Sequence, residues 1–374
     1  MCYIESCSAL FHMSLFKKVL FATAAAATVA VVAACGAVWY WARTPLQITP
    51  SPLDVTIKPR SSLRSVAVQL RRDGVPIEPR LFVLMARVLG LSSQLKSGNY
   101  AFSAGVTPYG VLQKVARGDV NQYVVTIIEG WTFRRMRDEI NAHPALRHDS
   151  AALSDAQLMR AILADVAPTD PHAAGTPPAS PPARHMPALQ GAPAQEPEGL
   201  FFPDTYLFDK NTSDLDIYRR AYRLMHLRVQ QAWEGRALGL PYATPYDALK
   251  MASIVEKETG LAQDRPLVAA VFVNRLRLSM PLQTDPTVIY GLGTSYAGRL
   301  RKQDLQTDTP YNTYMRGGLP PTPIALPGNA SLEAALHPAV SSALYFVARG
   351  DGSSHFSDNL GDHNKAVDKY IRGQ

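Results

Sequence analysis

The pattern of apolar and polar positions opens on a run without a charged residue from Val19 to Trp41. At about 1.5 Å per residue, a helix of this length would cross a hydrocarbon layer of about 30 Å. Lys17 and Lys18 precede the run, Trp39, Tyr40 and Trp41 stand where an interfacial aromatic belt would lie, and Arg43 and Pro45 end it. The expectation is a cytoplasmic leader over 1–18 and a transmembrane helix over 19–41. The N-terminus would face the cytoplasm and the rest of the chain would lie on the periplasmic side of an inner membrane. Arg43, Lys58 and Arg60 beyond the run reduce the charge asymmetry behind that orientation. Met13 offers a second start with the leader MSLFKK. A cleaved signal peptide has a shorter apolar region and a small-residue site, whereas this run is long and ends in aromatics. Val32, Ala33, Ala34 and Cys35 also resemble a lipoprotein processing site with Cys35 as the lipidated residue, yet the apolar run continues past it.

Beyond the run, Val55 and Ile57 alternate as a short strand, and Ser62 precedes a helical spacing of Leu63, Val66, Ala67 and Leu70 that Gly74 stops. Leu81, Leu84, Met85 and Val88 predict a second helix closed by Gly90, Leu95 to Phe102 a strand, and Thr107 the start of a helix carrying Val111, Leu112 and Val115. This strand–helix–helix–strand order over 52–120, with KPRSSLRSVA near its start and LKSGNYAF near its end, resembles the LysM sugar-binding module. A small α+β spacer is the other reading. Tyr123 to Ile128 predicts a strand and Thr132 begins a helix. Between 168 and 197 the chain becomes dense in Pro and Ala with almost no large apolar residue, which predicts a disordered or extended insert. Amphipathic helices follow over Asp214 to Trp233, Asp247 to Glu258 and Pro266 to about Leu278. The last hundred residues, rich in Gly and Pro, read as short strands, with YFVAR the clearest. The fold class is therefore α+β: an N-terminal transmembrane helix, a small subdomain at 52–120, and a mixed α+β domain at 121–374 interrupted by the insert.

Composition changes this picture in two ways. The three cysteines, Cys2, Cys7 and Cys35, all lie in or before the apolar run, so the expected exported part has neither a disulfide framework nor thiolate chemistry. The net charge of +7 favours anionic surroundings. For a chain anchored this way, anionic lipid and the acidic stem peptides of a cell wall are more natural counterparts than nucleic acid.

Candidate chemistry begins with the helix MASIVEKETG. Glu256 and Glu258 point about 200° apart at its end, so only one is expected to face a cleft. Glu256 lies beside Leu249 and Ala252, and Glu258 lies nearer Met251 and Ile254. A partly buried carboxylate at a helix C-terminus opposes the macrodipole and gains a raised pKa useful to a general acid; a solvated helix end is the alternative. Gln283, Thr284 and Asp285 group amide, hydroxyl and carboxylate at a Pro-punctuated turn, a set suited to sugar hydroxyls. Tyr311, Asn312 and Tyr314 stand in a loop stiffened by Pro310, Pro320, Pro321 and Pro323. His337, His355 and His363 with Asp358 and Asp362 lack the spacing of a metal site, so no metal is expected. Ser253 lacks a nucleophile-elbow context, and no GxGxxG or Walker pattern occurs, so no cofactor is expected.

The ordered blocks EGWTF at 129–133, EGLFFPDTY at 198–206, ASIVEKET at 252–259, VFVNRL at 271–276, LQTDPTVIYGLG at 282–293, YNTY at 311–314, GLPPTPIALPG at 318–328, HP at 337–338 and YFVA at 345–348 resemble the endolytic murein transglycosylase, or YceG-like, family. The resemblance implies a membrane-anchored lyase with a LysM-like subdomain ahead of its catalytic domain. It also implies peptidoglycan glycan strands as substrate, and synthases at the membrane as possible partners. Its catalytic glutamate matches Glu256, which would protonate the oxygen between N-acetylmuramic acid and N-acetylglucosamine. It would then take the proton of the muramyl carbon-6 hydroxyl, which closes a 1,6-anhydro ring. Gln283, Asp285, Tyr311 and Asn312 are the candidates for orienting the sugar, with bracing of the loop as the alternative for Asp285, and Glu258 is expected to point away from the cleft. Two other classes remain: a hydrolase with Glu256 as acid and Glu258 or Asp285 as base, and a wall-binding protein without activity. The Pro/Ala-rich insert is the main departure from the family pattern.

Overall fold

The computed structural model describes residues 15–164 and 189–373. The leader before Leu15, the alternative start at Met13, Cys2, Cys7 and most of the 168–197 insert lie outside the described residues. The chain divides into two compact units, with the boundary between Gln122 and Tyr123.

In the first unit, helix α1 (Leu15–Arg43) takes up the apolar run, and its Thr23–Arg43 part is long and apolar enough to cross a membrane. Strand β1 (Leu53–Ile57) leads to α2 (Leu63–Arg72), where the Ser62 hydroxyl accepts from the Ser65 N–H as a cap. Helix α3 (Pro79–Val88) begins on a proline, whose missing N–H costs nothing in a first turn. Strand β2 (Gly98–Phe102) pairs antiparallel with β1, setting Val55 opposite Tyr100, and α4 (Pro108–Arg117) is capped by Thr107. The expected strand at 95–102 thus starts three residues later, at Gly98. Val55, Ile57, Leu70, Phe82, Tyr100 and Leu112 fill the core.

The second unit opens with β3 (Tyr123–Thr126), α5 (Phe133–Ala142) and α6 (Asp155–Ala164). After residue 188 it continues through β4 (Thr205–Phe208), which pairs antiparallel with β3, and α7 (Asp214–Glu234). Helix α8 (Pro245–Glu258) starts in a capping box between Thr244 and Asp247, then buries Leu249, Met251, Ala252, Ile254 and Val255. A helix apolar on so many sides belongs inside the fold, and α8 packs against α7, α9 (Arg265–Arg277) and α12 (Asn329–Leu336). Between α9 and α12 lie α10 (Asp285–Leu292) and the short α11 (Lys302–Gln306). Strands β5 (Tyr345–Ala348) and β6 (Ser354–Ser357) form an antiparallel ribbon before α13 (Leu360–Val367).

Two expectations are corrected here. The region after Leu278 holds more helix than strand, because Asp285 and Pro286 open a helix, and Asn329 to Leu336 form another buried against α8. The stretch 189–197, at the end of the expected insert, is not disordered: Leu189 is buried in the core, its backbone hydrogen-bonds the Tyr222 hydroxyl, and Gly191 abuts Thr244.

Candidate active site

The last turn of α8 carries two carboxylates with different partners. Glu256 Oε2 accepts from the backbone N–H of Gly328 at 3.0 Å and from the Ser331 hydroxyl at 2.7 Å. Gly328 is the N-cap position of α12 and has no side chain to cap it. Glu256, on another helix, accepts from the N–H of this N-cap residue itself, a donor that α12 leaves without an internal partner. Its other oxygen, Oε1, has no hydrogen-bond partner among the described residues.

The turn after β3 closes over this carboxylate. Gly130 stands in a left-handed conformation, φ +78°, its N–H donates to Leu326 O at 2.9 Å, and Lys257 Nζ donates to its carbonyl at 3.3 Å. Glu129 next to it lies so close to Gly328 that a Cβ there would collide with its carboxylate. Partial burial pushes the Glu129 carboxyl above its ordinary value, the charge of Glu256 adds to the rise, and Arg265 opposes it. Glu129 belongs to the EGWTF block, but only the folded chain reveals it as a second carboxylate beside Glu256.

Glu258, expected to point away from the cleft, meets the turn before α10. It is half-buried and accepts a hydrogen bond from the Thr284 hydroxyl. Burial pushes its carboxyl up to about 7, and Asp285 adds to this, while the Thr284 hydroxyl and Arg275 oppose it. The raised acid expected at this helix end is thus found on Glu258. Asp285 accepts from the Tyr314 hydroxyl at 2.6 Å, and Gln283 Oε1 accepts from Arg275 Nη1 at 3.4 Å. Gln283 has φ +52°, a conformation uncommon outside glycine, and its N–H donates to Thr313 O. Gln283 and Asp285 are exposed, so both can reach a ligand.

Tyr311 is half-buried, its hydroxyl 2.9 Å from that of Thr322 and its ring edge-on to Tyr290 at 4.8 Å. Asn312, a candidate for orienting the sugar, has its side chain engaged by its own loop. It is fully buried; its amide nitrogen donates to Leu305 O and Thr307 O, and its oxygen accepts from the Tyr314 N–H. Glu198, the first residue of the EGLFFPDTY block and given no role by the sequence, is buried and accepts from the Phe133 N–H at the start of α5 and from the Tyr290 hydroxyl on α10. Burial pushes its carboxyl up to about 7. The Ser253 hydroxyl donates to Lys250 O and accepts from the Ile324 N–H, which makes it a brace. The histidines lie apart in their contacts: His337 bonds Gly235 O and Glu333, His355 leans on Tyr370, and His363 stacks on Tyr345.

A buried α-helix ending in partnered carboxylates, in a mixed α+β unit behind an apolar N-terminal helix, is an arrangement that comparison places in a family. Residues 55–369 match the sequence profile of the YceG-like family, and the chain belongs to it. It is 43% identical to an endolytic murein transglycosylase of Bacillus subtilis over 175 residues, 46% of this chain and 48% of that one. With an endolytic murein transglycosylase of Streptococcus pneumoniae it shares 24% identity over 86% of this chain and 58% of the other. The chain thus spans about half the length of the curated relatives it matches. The crystal structure of a YceG-like protein from Listeria monocytogenes superposes with a TM-score of 0.50 and 28% identity, covering 85% of this chain and 99% of that one.

Proposed function

We propose that this chain is a peptidoglycan lytic transglycosylase that cuts within glycan strands and leaves 1,6-anhydromuramyl ends, with Glu256 as its acid–base residue. The observation that carries this reading is the seating of Glu256. One carboxylate oxygen is fixed by Gly328 and Ser331, and the other remains open for a proton and a sugar oxygen. Such fixing sets the direction of proton transfer before substrate arrives. The protonated Oε1 of Glu256 gives its proton to the glycosidic oxygen, and the bond from that oxygen to the muramyl anomeric carbon breaks. The carboxylate then removes the proton of the carbon-6 hydroxyl as that oxygen bonds the anomeric carbon, so no water is consumed. The Gly328 N–H and Ser331 hydroxyl stabilise the carboxylate between the two transfers. Exposed Gln283 and Asp285, with half-buried Tyr311, are assigned to orient the sugar. Asp285 also braces Tyr314. The names of the Bacillus and Streptococcus relatives support the substrate class.

Helix α1 is read as the inner-membrane anchor, with the second unit in the periplasm. The strand–helix–helix–strand order of the first unit supports a LysM-like role in holding glycan. Membrane synthases that produce fresh strands are the partners this placement favours. The raised carboxyl of Glu258 beside Asp285 gives a second reading, a hydrolase that uses this pair with water.

The test is to digest purified sacculi with the full chain in detergent and identify the new ends by mass. The lyase reading expects anhydromuramyl ends, and reducing muramyl ends would favour the hydrolase. Glu256→Gln keeps the shape but removes the transferable proton. It is expected to lower cleavage by about 10²–10⁴-fold while retaining strand binding, and full activity in this variant would overturn the assignment.

A further inference from the structure

We infer that the first unit rides on the membrane itself. The outer end of α1 and the exposed face of α3 form one apolar surface seated among lipid headgroups and upper acyl chains, with Arg43, Arg80 and Arg87 meeting anionic phosphates. This rests on reading α1 as a membrane anchor. Between the two helices runs an apolar groove of about 480 Å³, walled by Cys35, Val38 and Trp39 of α1 and by Leu84, Val88 and Leu89 of α3. On the α3 side Val88 is 77% exposed, and Leu84 and Leu89 are each nearly half exposed, an apolar patch with no cover of its own.

The helix that supplies the other wall identifies the occupant. Residues 35–39 belong to the membrane-spanning candidate Thr23–Arg43, and none of the five is buried in the protein. Cys35 lies eight residues before Arg43, about 12 Å along the helix. Whatever fills a groove walled by this part of α1 therefore shares its depth in the bilayer. The geometry is also fixed, because no free linker separates α1 from the rest of the unit. Ala42, Leu46 and Ile48 are packed into the unit's core, the Leu46 N–H donates to Val106 O, and Leu46 O accepts from the Gly105 N–H.

Charge agrees with a lipid surface. Residues 52–122 carry ten Lys and Arg against four Asp and Glu. Arg80 and Arg87 lie on α3 itself, and the Arg43 guanidinium lies 4.8 Å over the exposed Trp39 ring, a pairing suited to the headgroup layer. The consequence is that the anchor holds the first unit against the bilayer instead of on a free stalk.

The experiment places the full chain in nanodiscs with an environment-sensitive fluorophore on a single cysteine. One preparation keeps Cys35 with Cys2→Ser and Cys7→Ser, and another carries Val88→Cys with all three native cysteines changed to Ser. Lipids spin-labelled near the top of the acyl chain should quench both labels, and quenching at position 88 should be stronger with phosphatidylglycerol than with phosphatidylcholine alone. Arg80→Glu with Arg87→Glu should abolish that difference between lipids. Quenching at 35 without quenching at 88 would overturn the proposal while leaving the anchor intact. Absence of quenching at 35 would overturn the anchor and the proposal together. Equal quenching at 88 in both lipids would refute the role given to the arginines.

Discussion

Replacing Glu258 by glutamine should make the protein more stable above pH 7 and leave it nearly unchanged near pH 4.5. Burial is the main cause that raises this carboxyl from 4.5 to about 7, and Asp285 adds to it. A group whose pKa is higher in the folded than in the unfolded chain contributes its full stability below the unfolded value and loses it as pH rises through the folded one. At about 1.4 kcal/mol per pH unit, the interval from 4.5 to about 7 corresponds to an upper bound of about 3.5 kcal/mol. Glutamine keeps the hydrogen bond from the Thr284 hydroxyl through its carbonyl oxygen, and its amide can donate toward Asp285. The variant therefore escapes the cost of an ionised buried carboxyl without losing the contact. For a unit of this size, with about 2–4 °C per kcal/mol, the gain at pH 8 is at most roughly 7–14 °C. Thermal unfolding of the full chain in detergent, followed by tryptophan fluorescence from pH 4.5 to 8.5, measures it. Equal midpoints at every pH would refute the reasoning by showing Glu258 ionised and well solvated. Sacculus cleavage is the companion assay: retained activity fits Glu256 as the acid. A stabilised variant as inactive as Glu256→Gln would transfer the reacting proton to Glu258.

Three further changes test the framework around the site. Ser331→Ala removes one of the two donors to Glu256 and should lower the cleavage rate about tenfold, with unfolding shifted by only about 1 kcal/mol. Asn312→Ala strips partners from Leu305 O, Thr307 O and the Tyr314 N–H; it should cost about 2–3 kcal/mol in urea unfolding yet leave the cleavage rate of the folded fraction unchanged, as expected of a brace. Gly199→Ala combines a φ of +79° with collision against the Pro323 ring and should lose at least about 2 kcal/mol, read as a lower thermal midpoint.

Those elements whose signals are local are legible in the sequence. The unbroken apolar run gives α1, and the caps Ser62, Thr107 and Thr132 mark the starts of α2, α4 and α5, because each hydroxyl accepts from a backbone N–H three residues on. Helix α10 is hidden because a proline following Asp285 starts a turn and a helix equally well. Leu189 disappears into a Pro/Ala-rich stretch because one apolar residue cannot outweigh its neighbours in composition, yet its packing depends on α7, far along the chain.

The concealment of α12 and the ambiguity between Glu256 and Glu258 have one physical origin. A glycine at the N-cap supplies no capping oxygen, so Asn329 to Leu336 carries no local start signal. Glu256, 72 residues earlier in the chain, accepts instead from the N–H of that glycine. A helical wheel places the two carboxylates on different faces of α8, but both faces are occupied: Glu256 meets α12 and Glu258 meets Thr284 before α10. Facing the interior therefore does not single out the reacting group. What separates the two is the kind of partner. Glu256 accepts from the Gly328 N–H and the Ser331 hydroxyl through one oxygen and leaves the other without a partner among the described residues. Glu258 receives one hydroxyl and faces Asp285, and burial pushes its carboxyl up to about 7. The role proposed for Glu256 rests on this seating at the start of α12, which fixes one oxygen and so sets the direction of the other before substrate arrives.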